Sequence, residues 1–328
     1  MRIAILGAGS MGEMHAHAYA AVPGVEVAVI FGRTRERVEP VAQAVGGIAT
    51  EDLQQALDRS IDAVDVCLPT PVHREFVTRA LNAGKPVFCE TPLAGTLDDA
   101  RGMLETAKAN ARLLLVGLLM RSLPAYQHIK AALAAGELGR PIAARAYRLG
   151  SYLRPDGVDH KAHYSDPTTE LMTFDFDVLT WLFGEPDQVD AVASPVGDGR
   201  PGHVFATLRY PEVVAQVEAS GVMPPSFPYS IGFQIVGEDL ALEITTRFFT
   251  DGPPATTVMS YPTRGAPAQL TLGDINPYEA ECRYFVDSLR GAADPGLLSA
   301  ERAIEALGLS VATQQSIASG KPAMRPFA

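Results

Sequence analysis

Three glycines near the start of the chain have the spacing of a phosphate-binding turn. They form the pattern G-x-G-x-x-G after the apolar stretch 2–6 and before a stretch without helix-breaking residues that ends at Pro23. In this context glycine allows a tight turn, a close approach of the backbone to a pyrophosphate, and close packing of helix on strand. The N–H groups that open the helix then bind the diphosphate. We therefore predict a dinucleotide site at Gly7, Gly9, Ser10, Met11 and Gly12.

The residues after the second apolar stretch, 25–31, favour one form of the cofactor. An acidic residue at this point binds the ribose 2′-hydroxyl of NAD, whereas an arginine accommodates the 2′-phosphate of NADP. No carboxylate stands directly after Phe31, and arginines follow at once. Contacts between arginine and phosphate are charge-assisted and bidentate. We expect Arg33, Thr34 and Arg37 to bind NADP, with NAD as the alternative.

The elements that must position these residues alternate between strand and helix. Apolar stretches at 61–68, 85–90 and 113–118 read as further strands, each separated from the next by a helical stretch. Such alternation predicts a doubly wound parallel sheet, which binds ligands at the carboxyl ends of its strands. We assign residues 1–120 to this dinucleotide-binding Rossmann domain. Its ligand-binding edge should include Pro69, Thr70, His73, Glu90 and Thr91.

The pattern changes after Arg121. Side chains alternate between apolar and polar over 204–210, 231–235 and 240–244, and Gly237-Glu238-Asp239 between the last two stretches has the composition of a hairpin turn. This indicates antiparallel strands with one covered face. Apolar residues at helical spacing over 170–183 predict a helix that interrupts the strands. We assign residues 121–328 to a second domain, of the α+β class.

Composition excludes several classes of protein. The 328 residues carry a formal net charge of −11, which argues against nucleic-acid binding because that needs clustered lysine and arginine. Three cysteines are too few for a disulfide framework. No apolar run approaches the roughly 20 residues that cross a bilayer, and no secretion signal is visible. We expect a cytoplasmic protein. We also expect no metal site, since His160 and His163 lack further ligands at useful spacing.

The accumulated motifs resemble the glucose–fructose oxidoreductase / inositol dehydrogenase / rhizopine catabolism (Gfo/Idh/MocA) family. The resemblance covers almost the whole chain. It implies a Rossmann domain followed by a domain with a large open, mostly antiparallel sheet, whose exposed face commonly joins the subunits of a homodimer or homotetramer. It also implies an NAD(P)-dependent oxidoreductase acting on a secondary carbon of a sugar, cyclitol or related polyol. The stretches that carry it are 7–19, 61–76, 83–100, 116–126 and 137–146.

Two residues depart from the family pattern. Family members usually have Glu-Lys-Pro where this chain has Glu90-Thr91-Pro92, and the lysine helps to move the substrate proton. They also have an Asp and a His four residues apart, at positions that are Glu170 and Phe174 here when the alignment is anchored on Trp181. The carboxylate is therefore retained, but the lysine and the histidine are absent. Loss of a positioned general acid or base lowers the reaction rate by a factor of roughly 10²–10⁴.

Three hypotheses follow from this departure. The first is an active oxidoreductase whose proton is moved by Glu170 or by the preceding loop, with a hydrogen bond from Thr91. The second is an NAD(P)-binding sensor or inactive homologue, and the third is a lyase or hydrolase that uses the cofactor without net redox. Under the first, we predict substrate contacts from Arg121, His163, Glu170 and Phe174. The loop candidates for proton transfer are His163, Lys161 and Tyr164.

Overall fold

The structure is a computed structural model of the chain. It describes residues 1–153, 166–197, 199–249, 252–273 and 275–327. The chain forms two compact units: the N-terminal unit comprises Met1–Ser122 and Ile275–Ile304, and the C-terminal unit comprises Leu123–Asp274 and Glu305–Ala328. The functional division near residue 120 stays a prediction. The sequence did not indicate that residues 275–304 belong to the N-terminal unit.

The N-terminal unit contains a parallel sheet with the strand order β3-β2-β1-β4-β5-β6, six strands among the described residues. This order confirms the predicted doubly wound architecture, because the chain reverses direction across the sheet at β1 and β4. The strand β3 was not predicted. The strands are β1 (Arg2–Leu6), β2 (Glu26–Phe31), β3 (Ile48–Thr50), β4 (Ala63–Val66), β5 (Val87–Cys89) and β6 (Leu114–Val116).

The C-terminal unit contains a mostly antiparallel sheet with the order β14-β13-β12-β11-β7-β10-β9-β8-β15 in the described residues. The pair β7 and β10 at its centre is parallel. The predicted α+β class and hairpin are confirmed, since β11 and β12 pair in antiparallel fashion. The strands are β7 (Pro141–Leu149), β8 (Gln188–Pro195), β9 (Pro201–Arg209), β10 (Val214–Ser220), β11 (Tyr229–Gly237), β12 (Leu240–Phe248), β13 (Ala255–Pro262), β14 (Ala268–Gln269) and β15 (Ala323–Met324).

Side chains cap several helices of the described residues. Thr96 accepts a hydrogen bond from the Asp99 N–H, and Asn276 accepts from the Tyr278 N–H, so both act as N-caps. The helix over Arg35–Val45 contains Pro40. The helices are α1 (Ser10–Ala20), α2 (Arg35–Val45), α3 (Leu53–Ala56), α4 (His73–Asn82), α5 (Leu97–Ala109), α6 (Pro124–Ala134), α7 (Pro167–Glu170), α8 (Met172–Phe183), α9 (Pro277–Leu289) and α10 (Ala300–Ser319).

The cap of α3 is Asp52, which accepts a hydrogen bond from the Gln54 N–H. One helix prediction was wrong in detail. The single helix expected over 170–183 is divided at Leu171 into α7 and α8. Glu170 and Phe174 therefore lie in different helices, so the expectation that both project from one face of a continuous helix does not hold. None of the helices in the described ranges is long and apolar enough to cross a bilayer.

Candidate active site

The glycine turn has the geometry that binding a diphosphate requires. Gly7 has φ +121°, a conformation that side chains disfavour, and a Cβ on Gly12 would overlap the Gly7 carbonyl oxygen. A Cβ on Gly9, in contrast, would meet no atom within 4 Å. No side chain of the described residues caps α1 at Gly9, so the N–H groups of its first turn are available for an anion. These residues fit a dinucleotide, as the sequence predicted.

Basic residues lie at the end of β2, as expected. Arg33 and Arg37 are exposed, and neither forms an ion pair with the rest of the described chain. The sequence did not reveal Glu51, whose Oε1 accepts the Arg35 N–H at 2.7 Å. This carboxylate follows β3 and so reaches the start of α2 from another strand. The site therefore combines free arginines with one acidic side chain, an arrangement compatible with NADP or NAD.

His73 contacts two loops at the edge of the parallel sheet formed by the carboxyl ends of its strands. Its Nε2 lies 2.6 Å from the Leu68 carbonyl oxygen and its Nδ1 lies 3.1 Å from the Pro92 carbonyl oxygen. Burial lowers the pKa of His73. Of the other residues predicted here, Pro69 is exposed and Thr70 is half-buried at the start of a short 3-10 turn. His73 is thus a positioning residue of this edge.

Thr91 occupies the position of the family lysine. Its hydroxyl donates a hydrogen bond to the Gly117 carbonyl oxygen at 2.8 Å, and its N–H donates to Glu90 Oε2 at 3.1 Å. The hydroxyl hydrogen is therefore already used, and only the lone pairs of the oxygen remain for a ligand. The Thr91 side chain does not titrate near neutral pH, so it cannot replace the lysine as a general acid or base.

A buried charge cluster lies behind Thr91 and centres on His15. Its Nδ1 lies 2.9 Å from Asp65 Oδ2, and its Nε2 lies 2.8 Å from Glu90 Oε1 and 3.5 Å from Glu281 Oε1. The contact with Glu90 is an ion pair without hydrogen-bond alignment. The partners of His15 come from β4, the end of β5 and α9, so the sequence analysis did not find this cluster. We call His15, Asp65, Glu90 and Glu281 the His15 cluster.

Ligand atoms of the His15 cluster and two thiols are close enough to raise the question of a metal. Atoms of His15, Cys67 and Glu90 lie within 4.8 Å of one another. However, the Cys67 thiol already donates to Asp65 Oδ1 at 3.2 Å, and both nitrogens of His15 face carboxylates. Three buried free cysteines are present in the described chain. The arrangement is that of a hydrogen-bonded charge cluster.

Glu170 is the titratable residue that stands out in the C-terminal unit. It ends α7 and is only partly exposed. Burial, with a smaller contribution from Asp166, raises the pKa of Glu170 to about 7. A carboxyl group with such a pKa can accept or donate a proton at neutral pH.

Phe174, at the position of the family histidine, is held by an arginine that sequence reasoning missed. The Arg148 guanidinium lies 4.6 Å from the centre of its ring. Arg148 Nε donates to Asp175 Oδ2 at 3.1 Å, and both of these side chains are buried. A histidine here would face a permanent cation, which disfavours an imidazolium. Phe174 thus fits the present surroundings better than the histidine would.

The remaining predicted residues divide into two groups. Arg121 is buried and donates to the Leu297 carbonyl oxygen at 3.0 Å, both within the N-terminal unit. A contact of Arg121 with substrate stays a prediction. His160, Lys161, His163 and Tyr164 lie outside the described residues.

Comparison with known proteins agrees with this geometry. Residues 1–118 match the family model described as "Oxidoreductase family, NAD-binding Rossmann fold", and residues 126–243 match "GFO/IDH/MocA C-terminal domain". The chain belongs to the Gfo/Idh/MocA family. As a member of this family it is an NAD(P)-dependent oxidoreductase, and both NAD and NADP are compatible with its Rossmann unit.

Individual Gfo/Idh/MocA proteins resemble it over most of its length. Inositol 2-dehydrogenase of Acidothermus cellulolyticus is 31% identical over 249 residues, which is 73% of this chain and 71% of that protein. The scyllo-inositol 2-dehydrogenase (NAD(+)) of Bacillus subtilis is 26% identical over 98% of this chain and 95% of its own. The structure of levoglucosan dehydrogenase in complex with NADH and levoglucosan has a TM-score of 0.82 at 21% identity, covering 99% of each chain, and shows the shared fold.

Proposed function

We propose that this protein is a dehydrogenase or reductase that transfers hydride between NAD(P) and a secondary carbon of a sugar, a cyclitol or a related polyol. The observation that carries the proposal is Glu170, a partly buried carboxyl group whose pKa of about 7 suits proton transfer at neutral pH. The names of the related inositol dehydrogenases support the substrate class.

Glu170 takes the role of proton acceptor in this proposal. When bound, the nicotinamide supplies the hydride chemistry. As an alcohol is oxidised, its hydroxyl proton passes to the Glu170 carboxylate, and in reduction the protonated carboxyl returns it. His163, Lys161 and Tyr164 stay candidates for assisting this step, and Phe174 and Arg121 for contacting substrate. Thr91 contributes at most a hydrogen bond.

The cofactor-binding residues follow from the Rossmann unit. Gly7, Gly9, Ser10, Met11 and Gly12 bind the diphosphate through the backbone. We propose a preference for NADP because the exposed guanidinium groups of Arg33 and Arg37 are free to bind a 2′-phosphate. The contacts proposed along the rest of the edge are those of Thr34, Pro69, Thr70, His73, Glu90 and Thr91.

The proposal also includes a homo-oligomer formed through the open sheet of the C-terminal unit. Several apolar side chains on this sheet are exposed: 66% of Val192, 44% of Val214 and 39% of Phe205 are accessible. Large apolar patches on a protein surface commonly mark association sites.

One observation favours a second candidate function. The side chains of Thr91 and Phe174 do not titrate near neutral pH, so neither can act as a general acid or base. This would suit an NAD(P)-binding sensor or a homologue that has lost hydride transfer. A reaction without net redox, such as elimination or hydrolysis, stays open on the same ground.

A substrate screen separates these possibilities. We expect the protein with NADP⁺ or NAD⁺ to produce absorbance at 340 nm with at least one member of a panel of sugars and cyclitols, and the Glu170→Gln variant to be strongly impaired. Tight cofactor binding with no absorbance change across the panel would favour the sensor. Conversion of a substrate without a net absorbance change would favour the lyase or hydrolase.

A further inference from the structure

The His15 cluster contains more acidic than basic groups. Burial lowers the pKa of His15, but the carboxyl groups of Asp65 and Glu90 outweigh this effect and raise the pKa above its usual value. The surrounding carboxyl groups thus favour the protonated form of His15. They are those of Asp65, Glu90 and Glu281, at 2.9, 2.8 and 3.5 Å, so acidic groups outnumber the single imidazole.

The thiols beside the cluster and its third carboxyl group add no positive charge. Burial raises the pKa of the Cys67 and Cys282 thiols, so they are neutral. Burial also raises the pKa of Glu281 to about 7, so this group carries part of a further negative charge. Within the described part of the chain, no lysine or arginine forms an ion pair with Asp65, Glu90 or Glu281.

Glu90 is the acidic group of the cluster that reaches the edge of the sheet. Its side chain is 13% exposed, whereas those of Asp65 and Glu281 are 0% and 1% exposed. Glu90 directly precedes Thr91, where the family pattern has a lysine whose ammonium would offset the carboxylate. Thr91 offers only an N–H and a hydroxyl, and the structure shows both hydrogen-bonded locally. The charge of Glu90 is thus left without a counter-charge on its exposed side.

We infer that the His15 cluster, acting through Glu90, makes the protein discriminate between the two redox forms of its cofactor and favours the oxidised form. This inference rests on the proposed position of the nicotinamide at the edge formed by Glu90 and Thr91. An oxidised nicotinamide ring is a cation and a reduced ring is neutral, so nearby uncompensated negative charge stabilises only the oxidised ring. His15 is a positioning residue in this arrangement, because it acts by holding Glu90.

The ratio of two dissociation constants tests the inference without turnover. Kd for NADP⁺ and for NADPH is measured by calorimetry or fluorescence on the intact protein and on three variants. Glu90→Gln removes the charge, and Thr91→Lys supplies the missing cation. Glu75→Gln is the matched control, since Glu75 is an exposed carboxylate of the same unit that pairs with Arg79 on the surface.

Both test variants should weaken NADP⁺ binding about three- to tenfold while Kd for NADPH changes less than about twofold. The control should leave both constants unchanged. A purely structural role for Glu90 would weaken both forms to the same extent, and that result would overturn the inference. If Glu90→Gln does not fold, an unchanged ratio in Thr91→Lys overturns it equally.

Failure of the proposed function gives a different result. If the unaltered protein binds neither NADP(H) nor NAD(H), the cofactor site itself is wrong and the inference fails with it. If both forms bind and only the ratio does not respond to the variants, the proposed function stands and the charge discrimination is refuted.

Discussion

At the scale of single residues, the proposal depends on the Glu170 carboxyl group, in a chain that lacks the lysine and the histidine of the family pattern. Glu170 retains the acidic character of the family position, while Phe174 packs on a buried Arg148 that would repel a protonated histidine. At the position where the family has a histidine, the Phe174 ring thus packs against Arg148 of β7.

Glu170 sets the expected pH dependence of the reaction. Because its pKa is about 7, its carboxylate form increases as the pH rises through 7, and kcat for alcohol oxidation should rise over the same range. Glu170→Gln should lower kcat by roughly 10²–10³ and remove this inflection. A pH profile of kcat at saturating substrate measures both effects. An unchanged inflection in the variant would remove Glu170 from the mechanism.

Arg33 sets the expected choice of cofactor. Arg33→Ala should raise Kd for NADPH by about tenfold, since it removes a charge-assisted contact with the 2′-phosphate, and leave Kd for NADH nearly unchanged. Arg35→Ala is the matched control, because the Arg35 side chain already pairs with Glu39 at 3.3 Å. Equal effects on NADPH and NADH would show that Arg33 does not read the phosphate.

Sequence reasoning found the residues whose meaning depends on local spacing. The three glycines and the arginines after β2 could be located in this way, whereas Glu170 was singled out through the family resemblance. Glu51, Arg148 and the partners of His15 were missed because each acts on a residue brought close by the fold from another strand or helix. Asp65, Glu90 and Glu281 are far apart in the sequence and approach the His15 imidazole only in the folded chain.

At the scale of elements, the glycine turn links sequence and function most closely. Gly9 lies in extended backbone with φ −84°, which any residue adopts, and the space beside its Cα is open. Gly12 instead sits against the Gly7 carbonyl oxygen. We therefore propose that Gly9 serves the ligand, whereas Gly12 serves the packing of α1 against the turn.

Two alanine substitutions should separate these roles. Gly9→Ala should keep the melting temperature and raise Kd for NADPH by at least about tenfold, because the methyl group occupies the space for the diphosphate. Gly12→Ala should lower the melting temperature, because its methyl group overlaps backbone. Thermal unfolding and cofactor titration measure the two effects. A Gly9→Ala variant with normal affinity would contradict the assignment of the turn.

The strands and helices with strong patterns were predictable, and the shortest ones were not. The strand β3 has three residues, too few for a periodic signal, and Ile48 within it is 57% exposed. The division of 170–183 at Leu171 was not visible because the apolar spacing continues across it.

At the scale of the whole molecule, the His15 cluster links stability to pH. Burial raises the folded-state pKa of Glu281 from its usual 4.5 to about 7, so the folded chain binds more protons than the unfolded chain between these values. The free energy of unfolding should therefore fall as the pH rises from 5 to 8. The raised pKa of His15 acts in the same direction above pH 6.5.

Glu281→Gln should reduce this fall by about 2 kcal/mol, because glutamine does not titrate. Urea unfolding at pH 5, 6, 7 and 8 measures it. The matched control is Glu105→Gln, which changes an exposed carboxylate of the same unit and should follow the original curve. A variant with the same pH slope as the unaltered protein would show that Glu281 is ionised throughout.

The open sheet sets the expected assembly. Phe205→Glu should convert the proposed homo-oligomer into smaller species, because it places a charge within the exposed apolar patch. Ile48→Glu changes an exposed apolar residue of the N-terminal unit and should not alter the assembly. Light scattering coupled to gel filtration measures the mass of each. A monomeric unaltered protein would refute the oligomer.

Transfer of isotope tests hydride chemistry most directly. NADPH carrying deuterium at C4 of the nicotinamide is incubated with the protein and a panel of ketone derivatives of cyclitols and sugars, and the products are analysed by mass spectrometry. We predict a product one mass unit heavier than the one formed with unlabelled NADPH, and far less of it with Glu170→Gln. Stoichiometric NADPH binding without deuterium in any product would contradict the account.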